Sequence, residues 1–189
     1  MKILVVADNE SRKIWDHYEP GMLKKYDLIL SAGDLSPHYL EFLVTMSSRP
    51  LYYIHGNHDD KYEQDPPLGC ESIEGRVLNF KGLRILGLGG SMRYKPGKHM
   101  YTEKEMARRI RKAAWSIRKN KGFDILLTHS PAKGLNDSQD LPHQGFQCFL
   151  DLLDTWHPRF FIHGHNHKNY SSGFKAKDDY NGTTVINAL

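Results

Sequence analysis

Five polar clusters carry the side chains with obvious chemistry: Asp8-Asn9-Glu10, Gly33-Asp34, Gly56-Asn57-His58-Asp59, Thr128-His129 and Gly164-His165-Asn166-His167. Each holds at least one carboxylate, imidazole or carboxamide that can ligate a metal. A hydrolytic centre with two divalent ions, about 3.5–4 Å apart, needs a carboxylate shared between them and neutral nitrogen and oxygen donors that leave positions open for water. The clusters supply that mixture. They contain no thiolate, which favours manganese, iron or zinc without choosing among them. Glycines beside the donors let the backbone turn sharply and approach an ion closely. The chain has 11 histidines among 189 residues, a high count for the commonest metal ligand.

The elements that must position these donors follow from hydrophobic patterning. Each cluster comes directly after a short apolar run, at 2–7, 27–32, 51–55, 123–128 and 160–163, and a further run spans 183–186. Such runs read as strands buried on both faces. Ligands of a parallel sheet bind beyond the carboxyl ends of its strands, which is where all five clusters fall. Residues 77–80 and 83–88, joined by Lys81-Gly82, predict a hairpin. Ser36-Pro37 opens a predicted helix to about residue 47, and Pro142-His143 opens another to about 155. Thr102 and Glu105 form a capping box ahead of Met106, Ile110, Ala113, Ala114 and Ile117, which recur at helical spacing in a segment otherwise rich in Lys and Arg. Strands alternating with helices predict an α/β fold in a single domain over 1–189. The stretches 60–70 and 91–101 are long enough to be functional loops at the rim of a pocket.

In order and type the clusters resemble the motifs of the calcineurin-like metallophosphoesterase superfamily: Asp-x-His, Gly-Asp, Gly-Asn-His-Asp/Glu, a lone His, and Gly-His-x-His. The resemblance spans most of the chain. It implies a four-layer α/β/β/α sandwich of two facing mixed sheets flanked by helices. It also implies that Asp8, Asp34 and His167 hold one metal ion while Asp34, Asn57, His129 and His165 hold the other, with Asp34 bridging. His58 would contact the substrate phosphate and help protonate the leaving oxygen, with Asp59 orienting it. The cofactors implied are two divalent ions, manganese first, with iron or zinc as options. The implied activity is phosphoesterase hydrolysis of a phosphomonoester or small phosphodiester, by in-line attack of a metal-bridging water or hydroxide.

One motif departs from the pattern, because Glu10 stands where the family has His. A carboxylate there can ligate and make the first position harder and more anionic, or it can turn away; ligation with altered metal preference is the expectation. His163 shares strand parity with His165 and His167, so spacing alone does not exclude it as a ligand. The family pattern makes His163 and His55 interior or ligand-orienting histidines. Arg93, with Tyr94, Lys95 and Lys98 in the loop after Leu88-Gly89-Gly90, is a candidate substrate contact.

Composition narrows the remaining classes. A hydrophobic share of 39% and a charged share of 25% are ordinary for a globular chain, and they exclude wholesale disorder. The net charge of +4 names no ligand. Two cysteines are too few for a disulfide framework or a thiolate zinc site, and no apolar run approaches the roughly 20 residues of a membrane span, so a cytoplasmic protein with no membrane partner is expected. A small phosphate ester is the expected partner, and the basic helix is expected to be a solvated face rather than a nucleic-acid grip. The alternatives are a non-catalytic scaffold built on the same fold, or a nuclease that uses that helix.

Overall fold

The computed structural model describes residues 1–166 and 175–189. Within them, twelve strands and four α-helices follow one another as β1 (Ile3–Val6), α1 (Arg12–Trp15), β2 (Leu28–Ser31), α2 (Pro37–Ser47), β3 (Leu51–Tyr53), β4 (Glu71–Ser72), β5 (Val77–Phe80), β6 (Leu83–Leu88), β7 (Ser91–Met92), β8 (Met100–Tyr101), α3 (Glu103–Lys119), β9 (Ile125–Thr128), α4 (Gln147–Trp156), β10 (Phe160–His163), β11 (Lys177–Tyr180) and β12 (Thr183–Asn187). The first sheet is wholly parallel, in the order β1-β2-β3-β4. The second has the order β11-β12-β10-β9-β6-β5 and is mixed, with antiparallel edges at β11 and β5.

Alternation along the strands divides the apolar residues into two faces. Leu28, Leu30 and Ala32 point between the sheets, where with Ala7 and Ile54 they meet Ile85, Ile125, Leu127 and Ile162 of the second sheet. Ile29, one residue out of phase, points outward to Tyr39, Leu40 and Leu43 of α2. Leu86, Leu88 and Leu126 likewise face Met106, Ala113 and Ile117 of α3 and Phe149, Leu152 and Leu153 of α4. Each fully buried Leu or Ile contributes about 1.5–3 kcal/mol of transfer free energy. A helix layer on the outside of each sheet completes the α/β/β/α sandwich.

Local signals act as their chemistry requires. The Thr102 hydroxyl accepts from the Glu105 N–H while the Glu105 carboxylate accepts from the Thr102 N–H, so the capping box is complete. Lys81 and Gly82 take positive φ values of 51° and 88°, the twist that a two-residue hairpin turn demands. The helix expected from residue 142 is different: a short 3₁₀ turn at Leu141–His143 is followed by extended chain, and α4 begins only at Gln147. Residues before α4 are committed to pairing instead, since Phe146 bridges Ala132 and exchanges backbone hydrogen bonds with Pro131 and Lys133. Both cysteines are free. Among the described residues, no helix is long and apolar enough to cross a membrane.

Candidate metal centre

At the carboxyl ends of β1, β2, β9 and β10, Asp8, Asp34, His129 and His165 each present a ligand atom, and these atoms all lie within 4.8 Å of one another. Asp8, Asp34 and His165 adopt left-handed backbone conformations, with φ of 58°, 57° and 69°. Such conformations are costly for residues with a Cβ, and their recurrence here shows that the surrounding structure holds the three donors in place. The restraints are specific. The Asp34 N–H donates to Asp59 Oδ2 at 2.8 Å and the His58 N–H donates to Asp34 Oδ1 at 2.8 Å, while Asp8 Oδ2 accepts from the His165 N–H at 2.9 Å.

The glycines work by close approach. A Cβ on Gly56 would lie 2.0 Å from Asp34 Oδ1, and one on Gly164 would lie 2.4 Å from Asp8 Oδ2. Either side chain would displace a carboxylate. Carbonyl oxygens orient the imidazoles. His129 Nδ1 bonds the Ala32 carbonyl at 2.8 Å, which aims Nε2 at Asn57 Oδ1, 3.0 Å away, and at Asp34 Oδ2, 3.4 Å away. His165 Nε2 bonds the Pro142 carbonyl at 2.8 Å, leaving Nδ1 for the centre. Partners of this kind set which nitrogen of a ligating histidine faces the metal.

Electrostatics give the cluster one sign of demand. Burial pulls the pKa of His129 down, but the carboxylates of Asp34 and Asp8 outweigh it and lift the imidazole to about 10. Burial pushes Asp34 up, yet His129 and the His58 N–H prevail and hold it well below the ordinary carboxylate range. His165 lies beside His129, ring centroids 4.8 Å apart, and burial lowers it to about 3. The site therefore calls for positive charge while keeping a neutral imidazole as donor. Two carboxylates, two oriented imidazoles and the buried carboxamide of Asn57 fit a divalent ion.

Other expected site residues are placed as follows. His167 lies outside the described residues. Asn57 is buried against His129. The His58 side chain is exposed. Asp59, expected to orient His58, accepts the N–H groups of Gly56 and Asp34 on its Oδ2, at 2.7 and 2.8 Å, and so staples two strand-end loops together. Glu10, expected to ligate, directs Oε1 to the Ser36 N–H at 3.3 Å and stands outside the four-residue group. The start of α2 explains this. Ser36 makes no side-chain cap and the first turn has no acidic residue, so a carboxylate from the β1 loop meets the positive end of the helix. Arg93, expected at substrate, donates to the Met100 carbonyl and pairs with Glu105 at 3.0 Å, bracing its loop to α3.

Two more residues bear on the centre: His143, which the sequence left open as a residue facing the site, and Glu74, which had no signal there. The His143 ring lies 5.3 Å from His165 with Nδ1 on Asp140, so the chain before α4 borders the centre. Glu74 accepts the His55 N–H at 2.9 Å and its Nδ1 at 3.3 Å on one oxygen, and the Gly89 N–H and Arg109 on the other. It therefore anchors the residue that precedes Gly56-Asn57-His58. His163 is buried and lowered by burial to about 4, bonding the Gly164 carbonyl, an interior histidine.

Two facing sheets with acidic and imidazole donors at their strand ends define a metallophosphoesterase. Residues 1–169 match the family described as calcineurin-like phosphoesterase, and the chain belongs to that family. An uncharacterised Haemophilus influenzae protein is 26% identical over 203 residues, covering 90% of this chain and 85% of its own. Two solved structures share the fold. TT1561 of Thermus thermophilus aligns with a TM-score of 0.60 at 15% identity, over 97% of this chain and 87% of its own. The phosphopantetheinyl hydrolase PptH of Mycobacterium tuberculosis aligns with a TM-score of 0.61 at 11% identity, over 98% and 88%. The family is metal-dependent and its phosphoesterase members are hydrolases.

Proposed function

We propose that this protein is a phosphoesterase that uses two divalent metal ions, with Asp34 shared between them, to hydrolyse a phosphomonoester or a small phosphodiester. The observation that carries this reading is the convergence of Asp8, Asp34, His129 and His165 within 4.8 Å. When bound, divalent ions lower the pKa of an attacking water and neutralise phosphoryl oxygens. Asp34 would serve both positions; that one of its oxygens accepts the His58 N–H while the other faces His129 supports this reading. Asn57 and His129 would ligate together, as their 3.0 Å contact supports, and the exposed His58 would contact the substrate phosphate and its leaving oxygen. In-line displacement then sets the leaving oxygen toward His58, which assists its departure as a proton donor.

Hydrolysis of mono- and bis-nitrophenyl phosphate tests the reading. Turnover that appears with manganese and disappears with EDTA supports it, and the ratio of the two rates assigns mono- or diester preference. No metal-dependent rate on either ester overturns it in favour of a scaffold role.

A further inference from the structure

The outer face of α3 separates charge more sharply than any composition figure suggests. Lys104, Arg108, Arg111, Lys112, Arg118 and Lys119 are all exposed, and Trp115 among them is 71% exposed. At 100° per residue these seven side chains fall within an arc of about 120°, on a stripe about 22 Å long, with Trp115 near its midline. Among the described residues no carboxylate pairs with any of the six cations, whereas Arg109, which faces inward on the same helix, is bonded to Glu74. The other 20 Lys and Arg residues of the chain are outnumbered by its 22 acidic residues. The basic excess of the whole molecule thus resides on this one ridge.

We infer that this face of α3, which the sequence alone reads as a solvated face, is a docking surface for single-stranded nucleic acid, because the structure sets Trp115 exposed among its unpaired cations. A row of unpaired cations complements a phosphate backbone, and an exposed indole in the middle of the row offers a platform on which an unpaired base can stack. The Lys119 ammonium lies over one face of the Trp115 ring, 4.9 Å from its centroid, so a base would stack on the opposite face or displace it. A bilayer is a poorer match. Membrane-surface helices insert an apolar face, and α3 has committed its apolar face, Met106, Ala113 and Ile117, to the core. Exposed Asp151 and Asp154 on neighbouring α4 also oppose a broad anionic surface. Duplex DNA presents no unpaired base to Trp115.

The test is fluorescence anisotropy of a labelled twelve-residue oligothymidylate and oligouridylate in EDTA, which removes the metal centre from the readout. Binding at 50 mM salt is expected, weakening with a log–log salt slope of up to about −4 for six phosphate contacts. The triple variant Arg108→Gln, Arg111→Gln, Lys112→Gln should lose at least about tenfold in affinity, and Trp115→Ala at least about fivefold. Asp34→Asn should bind as the parent chain does. The inference is overturned if neither oligonucleotide binds, if both surface variants bind normally, or if only anionic vesicles bind. Displacement by polyglutamate as effective as by unlabelled oligonucleotide, with Trp115→Ala silent, overturns it too.

Discussion

Two carboxylate-centred clusters lie at the same end of the sandwich and differ in what neutralises them. Glu74 is met by the Arg109 guanidinium, two backbone N–H groups and His55 Nδ1; burial pushes its carboxyl up, but His55 and Arg109 hold it down at about 2. Its charge is matched within the protein. Asp34 and Asp8 lie with the imidazoles of His129 and His165 within 4.8 Å, and the Asn57 carboxamide bonds His129. There the carboxylates themselves force a positive charge onto His129. A carboxylate supplied with a permanent protein cation is a strut, and carboxylates supplied only with neutral or titratable donors form a receptor for a cation from solution.

Removing the charge at each centre should separate the two kinds of effect. Asp34→Asn should lower kcat on the order of a thousandfold or more, the scale of the several kcal/mol that metal ions supply, with little change in melting temperature. A variant with near-normal kcat would dissolve the contrast. Glu74→Gln should cost about 2–3 kcal/mol in denaturant unfolding, somewhat less than for a fully buried pair because Glu74 keeps some exposure. Metal content at saturation should survive. Because the folded pKa of Glu74 is depressed, its contribution is present above the ordinary value of 4.5 and is lost as pH falls toward about 2. The variant should therefore lose part of the acid dependence of stability between those limits, and an unchanged profile would remove the strut.

Smaller changes sharpen the comparison. Gly164→Ala, which sets a methyl group 2.4 Å from Asp8 Oδ2, should weaken manganese affinity about 10- to 100-fold while the chain stays folded. Wild-type affinity would mean that Asp8 can move without loss. Glu10→Ala should cost under about 1 kcal/mol, as expected of a charge at a helix start, with the number of bound ions unchanged. Loss of an ion would mean that Glu10 turns back to ligate.

Much of this was legible in the sequence, for definite reasons. Strands buried on both faces must be continuously apolar, so their ends were marked by the first polar residue, and Asp8, Asp34, Asn57 and His129 stood there. The Lys81-Gly82 turn and the Thr102–Glu105 box are local chemistry and needed nothing distant. What escaped depends on partners far along the chain. The orientation of Glu10 is decided by the start of α2, 26 residues away. Arg93 is drawn to Glu105, Asp59 to two backbone N–H groups, and the chain ahead of α4 to Ala132. Glu74 carries no local signal, because neither Arg109 nor His55 is near it in sequence.

Calorimetric titration of manganese into chelator-stripped protein tests the receptor most directly. Two ions per chain should bind saturably, and Asp34→Asn should abolish that binding. Saturation at a single ion would contradict the shared-carboxylate arrangement, and no saturable uptake would contradict the metal centre itself.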